Sequence, residues 1–262
     1  MIKKNKKIII IFGILFVSGI IFFFRPELIK ESSWSYTELK NKKGFNLNNN
    51  EVDNQLNYEN ITQTIIEPEK FVLSGVPFIM QAPFADWQDQ RQQDGCEEAA
   101  ILTAWFWLND QETITKQKML NELLKLSEYQ MQTTNNFRDT SAEDTAKLAN
   151  NYFKTNSFFT DTDNTLNNIR KQLLMGNLII TPMDGQCLKN PYYSGSGPER
   201  HMIVVIGYDD KKQEFITHDP GTKRGENYHY AYKSFLGCMR DYPSGNHIPI
   251  EEIMKMIIVV RK

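Results

Sequence analysis

The sequence is poor in cysteine. Three in 262 residues are too few for a disulfide scaffold to stand in for a core. No CxxC pair and no HExxH occurs, so the compact spacings of zinc sites are missing and no metal or other cofactor is called for. A basic excess is missing too. Thirty Lys and Arg against 32 Asp and Glu give a net charge of −2, which argues against a nucleic-acid binder. No internal repeat is visible. What remains is room for one sizeable core, or two small ones.

A long apolar run stands at the front. Residues 1–7, "MIKKNKK", are basic, and Ile8 to Phe24 are apolar apart from Ser18 and two glycines. As a helix these residues span roughly 25 Å, close to a bilayer core of about 30 Å. The run ends in "FFFRPE" without a small-x-small cleavage site, so a retained anchor is preferred to a cleaved signal peptide. Lys3, Lys4, Lys6 and Lys7 should keep the N-terminus inside and put the rest outside the cytoplasm. Residues 25–70 are rich in Asn, Lys and Glu and read as a polar stalk. Residues 71–262 read as the folded domain.

Within it, Cys96 to Leu108 is expected as a helix buried on most faces. Lys116 to Leu126 reads as an amphipathic helix with Thr113 or Thr115 as its cap. Ser141 is a capping signal before "AEDTAKLANNYF". Asn164 to Met175 reads as another helix, with Gly176 as its stop. "LIITP", "HMIVVIGY", "EFITHD" and "MKMIIVVRK" read as strands. Helices first and strands later imply an α+β fold, a helical half against an antiparallel sheet.

Cys96 sits at the front of its helix, where unpaired N–H groups and the helix dipole favour a thiolate. Asp94, Glu97 and Glu98 disfavour one, so the cysteine needs a cationic partner. Four histidines are available. His201 opens a buried strand, and a hairpin with "EFITHD" would bring it beside Asp219. That carboxylate could then orient the imidazole. Gln81, Gln88, Gln90, Gln92 and Gln93 are all near enough in sequence to supply an oxyanion donor beside the Cys96 N–H. Bland readings stand beside these. Cys96 could be buried filler and Asp219 a turn residue. Trp105, Phe106 and Trp107 read as core, and His218, His229 and His247 as structural. Tyr192 and Tyr193 are loop residues able to line a cleft. Cys187 and Cys238 can pair outside the cytoplasm if their distance allows.

Taken together, "VPFIMQAPFADW", "DGCEEAA", "HMIVVIGYD" and "ITHDPGTKRGENYHY" resemble the bacterial papain-like cysteine peptidases of family thirty-nine, in their broad branch. The resemblance covers about Val76 to Phe235. It implies a papain-like fold, with Cys96 as nucleophile, His201 as general base and acid, and Asp219 orienting the ring. Gln81 matches the oxyanion amide of the broad branch, whereas Gln90 matches the shorter spacing of leader peptidases; Gln81 is preferred. Glu97 stands where leader peptidases commonly carry glycine, and the expected side of the membrane is opposite to theirs, so double-glycine leaders are not the expected substrate. The expectation is a membrane-anchored, extracytoplasmic cysteine peptidase acting on a peptide or protein. The rival readings are an inactive peptidase-like binding module, and an amidase or acyl transferase on the same scaffold. Specificity would lie in the loops Gln186 to Arg200 and Gly221 to Tyr232.

Overall fold

Along each central strand, successive residues go to opposite cores. Ile180, Met202, Val204 and Ile258 pack into one core; Ile179, Ile203, Val205 and Val259 pack into the other. A sheet covered on both faces has no polar side, which is why these strands read as unbroken apolar runs. The computed structural model describes residues 67–251 and 254–262. The basic start, the apolar run 8–24 and nearly all of the polar stretch 25–70 lie outside the described residues. Among the described residues no helix is long and apolar enough to cross a membrane.

The strands are β1 (Lys70–Val72), β2 (Phe158–Asp161), β3 (Leu178–Met183), β4 (His201–Asp209), β5 (Glu214–His218), β6 (Tyr228–Ala231) and β7 (Ile257–Val260). They form one antiparallel sheet in the order β2-β7-β3-β4-β5-β6. β1 pairs with β4 at residues 207–209, beyond the stretch that β3 covers. Gly207 allows this approach, since a Cβ there would lie 2.3 Å from the Phe71 carbonyl oxygen.

The helices are α1 (Gln90–Gln93), α2 (Cys96–Leu108), α3 (Lys116–Thr134), α4 (Ala142–Phe153), α5 (Leu166–Leu174), α6 (Gly185–Leu188) and α7 (Tyr232–Cys238). α2, α3 and α4 share a core with one face of the sheet; α5 and α7 share a core with the other. The fold is α+β, as expected. α2 is buried on nearly every side, its alanines Ala99, Ala100 and Ala104 letting neighbours come close. α3 runs past the expected Leu126 to Thr134 and ends at Asn135, which takes the left-handed conformation. Its last turns bury Ser127 and Gln130, so the apolar period stops before the helix does. Thr115 caps α3, Ser141 caps α4 and Thr165 caps α5 through side-chain oxygens. α5 is shorter at both ends than 164–175, and Gly176 follows it with φ of 81°.

The β4–β5 hairpin positions the candidate site. Val204 pairs with His218 and Val205 with Thr217, and an irregularity between Val205 and Gly207 shifts the register by one residue. Beyond this ladder, at the open end of the hairpin, lie His201 and Asp219. A disulfide joins Cys187 of α6 to Cys238 of α7.

Candidate active site

His201 is 1% exposed and its Nε2 lies 2.8 Å from Asp219 Oδ1. Asp219 is fully buried, so its charge must be met by donors. Oδ1 also accepts from the Gly221 backbone N–H at 3.0 Å. Oδ2 accepts from Tyr193 and Tyr230 hydroxyls, each at 2.6 Å, and from Asn190 Nδ2 at 3.2 Å. Burial alone would raise the Asp219 carboxyl, but the His201 ring and the tyrosine hydroxyls hold it below the ordinary carboxylate range. A carboxylate can only accept, so Nε2 donates to Asp219 and Nδ1 is the ring nitrogen turned away from it. The ring is packed tightly as well. A Cβ at Gly221 would lie 2.8 Å from His201 Cε1, and the Tyr193 ring stands edge-on to the imidazole.

Cys96 is the first residue of α2 and is 5% exposed. Gly95 before it has no room for a side chain, because a Cβ would meet the Arg91 carbonyl oxygen at 2.4 Å. The thiol donates to Glu97 Oε2 at 3.0 Å. It makes no hydrogen bond to His201. Glu97 is itself 2% exposed, and its other oxygen accepts from the Tyr242 hydroxyl at 2.8 Å and the Thr140 N–H at 3.1 Å. The Tyr242 hydroxyl lies 3.4 Å from the His201 carbonyl oxygen, so it spans from the front of α2 to the start of β4. Burial pushes the Cys96 thiol well above its ordinary value, and Glu97, Glu98 and Asp139 push it further. The acidic setting expected to oppose a thiolate is therefore present in space as well as in sequence.

Gln81 is buried and sits between these two halves. Its Nε2 donates to the carbonyls of Gln92 at 3.0 Å and Gln93 at 2.9 Å, in the turn ahead of Cys96. Its backbone N–H donates to the Pro220 carbonyl at 3.2 Å, next to Asp219. Gln90 is exposed, and its amide oxygen accepts from Arg138. Of the two glutamines, Gln81 is the one buried against the Cys96 turn.

The sequence model of the Peptidase C39 like family matches residues 73–243, a stretch that holds Gln81, Cys96, His201 and Asp219. The chain belongs to this family. Among solved structures, one described as a C39-like peptidase from Bacillus anthracis matches over 74% of this chain and 99% of its own, at 17% identity and a TM-score of 0.49. No curated protein matches the chain.

For a C39-like chain, the notable additions to the sequence reading are the groups that hold the buried carboxylates. Asn190 and Tyr230 on Asp219, and Tyr242 and Thr140 on Glu97, were not anticipated. Tyr193 was anticipated only as a cleft-lining residue. The available signal was chemical. An aspartate expected to be buried needs more donors than one imidazole provides, and the "PYYSG" and "NYHYAY" loops carry the nearest free hydroxyls. The other histidines have structural partners: His218 Nε2 lies 3.1 Å from the Val76 carbonyl, His229 pairs with Glu214, and His247 with Asp139. Two clefts of about 500 and 520 Å³ are lined by residues of α3, α4 and the 241–256 segment, and neither is lined by Cys96, His201 or Asp219. Cys96, His201 and Asp219 are themselves 5%, 1% and 0% exposed.

Proposed function

We propose that this chain is a cysteine peptidase that hydrolyses peptide or amide bonds through Cys96, His201 and Asp219, and that it works outside the cytoplasm on a retained N-terminal anchor. The observation that carries the reading is the fully buried His201–Asp219 pair at the mouth of β4, the strand on which the Cys96 helix packs. Such a pair costs desolvation unless its geometry is well satisfied, and here both carboxylate oxygens are fully engaged. In the proposed reaction the Cys96 thiol passes its proton to His201 Nδ1 and the sulfur attacks the carbonyl carbon. The Cys96 N–H and the Gln81 amide, turned from its present carbonyl partners, receive the oxyanion. The imidazolium protonates the leaving amine. Water, deprotonated by the same nitrogen, then splits the thioester. The extracytoplasmic setting is supported by the basic start, by the apolar run after it, and by a Cys187–Cys238 disulfide, which suits an oxidising compartment.

The test is hydrolysis of a peptide library by the full-length chain. Cys96→Ala and His201→Ala should abolish turnover, and Asp219→Asn should lower kcat by about three to four orders of magnitude through the wrong ring tautomer. One observation favours a second reading. The thiol faces Glu97 rather than His201, as a binding module that has lost turnover would allow. Cleavage by wild type but not by Cys96→Ala excludes that module; equal cleavage by both excludes the peptidase. Mass analysis of products in the presence of an added amine separates hydrolysis from acyl transfer.

A further inference from the structure

Glu97 is a buried acid bonded to the nucleophile, and the proposed chemistry leaves it without a task. Three groups able to donate face it: the Cys96 thiol at 3.0 Å, the Tyr242 hydroxyl at 2.8 Å and the Thr140 N–H at 3.1 Å. Burial pushes its carboxyl up, and the thiol and hydroxyl donors oppose that. All three can donate at once, so the surroundings suit Glu97 as the anion. An anion 3.0 Å from a sulfur cannot tolerate a thiolate there cheaply. The other titratable groups that act on the sulfur are Glu98 on α2, Asp139 ahead of α4 and Tyr242 ahead of β7, and Asp139 is itself paired with Arg200 and His247. None of the three that act on it directly can become a cation; in the proposed reaction that part falls to His201.

We propose that Glu97 is a positioning residue that holds Cys96 as a protonated, resting thiol, and that the nucleophile becomes reactive only when its S–H leaves Glu97 for His201. The inference rests on the peptidase reading. The switch is a rotation of one side chain followed by one proton transfer: the S–H bond breaks, the electron pair stays on sulfur, and Nδ1 of His201 takes the proton. Tyr242 belongs to the same device, because its hydroxyl fixes the Glu97 oxygen that the thiol does not use. The low exposure of Cys96 (5%) and His201 (1%) suits a resting form.

The experiment is the rate of Cys96 alkylation by iodoacetamide against pH, read by mass spectrometry on the full-length chain with its disulfide intact. Glu97→Gln keeps the shape and removes the charge. It should move the midpoint of the rate–pH curve down by about one unit, which is about tenfold faster labelling below the midpoint. Tyr242→Phe strips a donor from the carboxylate, leaves more of its charge acting on the sulfur, and should move the midpoint up by less than Glu97→Gln moves it down. A midpoint unchanged or raised in Glu97→Gln overturns the proposal. If that variant does not fold, an unchanged or lowered midpoint in Tyr242→Phe overturns it. His201→Ala and peptide cleavage report on the peptidase reading separately. Cleavage that survives Cys96→Ala ends that reading whatever the Glu97 variants do, and cleavage lost in Cys96→Ala with no downward shift ends only the latch.

Discussion

Asp219 has more donors than a turn aspartate needs. His201, Gly221, Tyr193, Tyr230 and Asn190 all reach it, on two oxygens. The two tyrosine bonds are the short ones, and hydrogen bonds to a charged group contribute roughly 1.5–3 kcal/mol each. Tyr230→Phe should therefore lower stability by about 1–3 kcal/mol and lower kcat while leaving KM nearly unchanged, because Tyr230 steadies the acid behind the imidazole. The sign with pH follows from the lowered Asp219 value. A carboxyl whose folded value lies below its unfolded one adds stability that is fully present above the unfolded value of about 3.9 and is lost as pH falls through the folded one. The gap between wild type and Tyr230→Phe should thus be full at pH 7 and smaller at pH 3, measured by denaturant unfolding at both. The pairing of His201 with Asp219 was legible because two adjacent strands and a short turn force their open ends together. Tyr193 and Tyr230 were not: one lies on a loop without a period and the other on the four-residue β6, and neither gives a rule for where a hydroxyl points.

At the scale of elements, the bounds of α2 could be read directly. Gly95 and Cys96 mark its front, and an apolar run with no polar face marks a central helix. α3 was read short because Ser127 and Gln130 are polar residues doing the work of core. The pairing of α6 with α7 could not be read, because no spacing fixes the distance between cysteines 51 positions apart. That bond closes a long loop, for which chain entropy gives a stabilisation of about 4 kcal/mol. Its place adds a second consequence. α6 leads directly into Asn190 and Tyr193, two of the groups on Asp219. Cys238→Ser should lower the unfolding free energy by about 2–4 kcal/mol. It should also reduce peptide cleavage, and a reductant should do the same to wild type but not to the variant. Unfolding and turnover measured with and without reductant check both halves.

For the molecule as a whole, the class of fold was legible and the strand order was not. Helices gathered early and strands late gave α+β, but the central strands β3, β4 and β7 are similar runs of β-branched and aliphatic residues, so nothing local chooses their partners. β7 shows why this matters. It is among the last elements of the chain, yet it lies between β2 and β3, pairing Val260 with both Phe158 and Leu178. Its four residues are buried and divide between the two cores: Ile258 and Val260 in one, Ile257 and Val259 in the other. The sheet therefore cannot close until the end of the chain has returned, a long-range contact with a large loop-closure penalty. A chain ending at Lys255 should lose the strand that β2 pairs with and open both cores at once, leaving no cooperative unfolding transition and no resistance to added protease. A chain lacking only Lys262 loses an exposed ion pair with Asp110 at 2.7 Å, a bond of roughly 0–1 kcal/mol, and should unfold at nearly the wild-type midpoint. Equal unfolding of the two truncations would mean that β7 does not join the two cores.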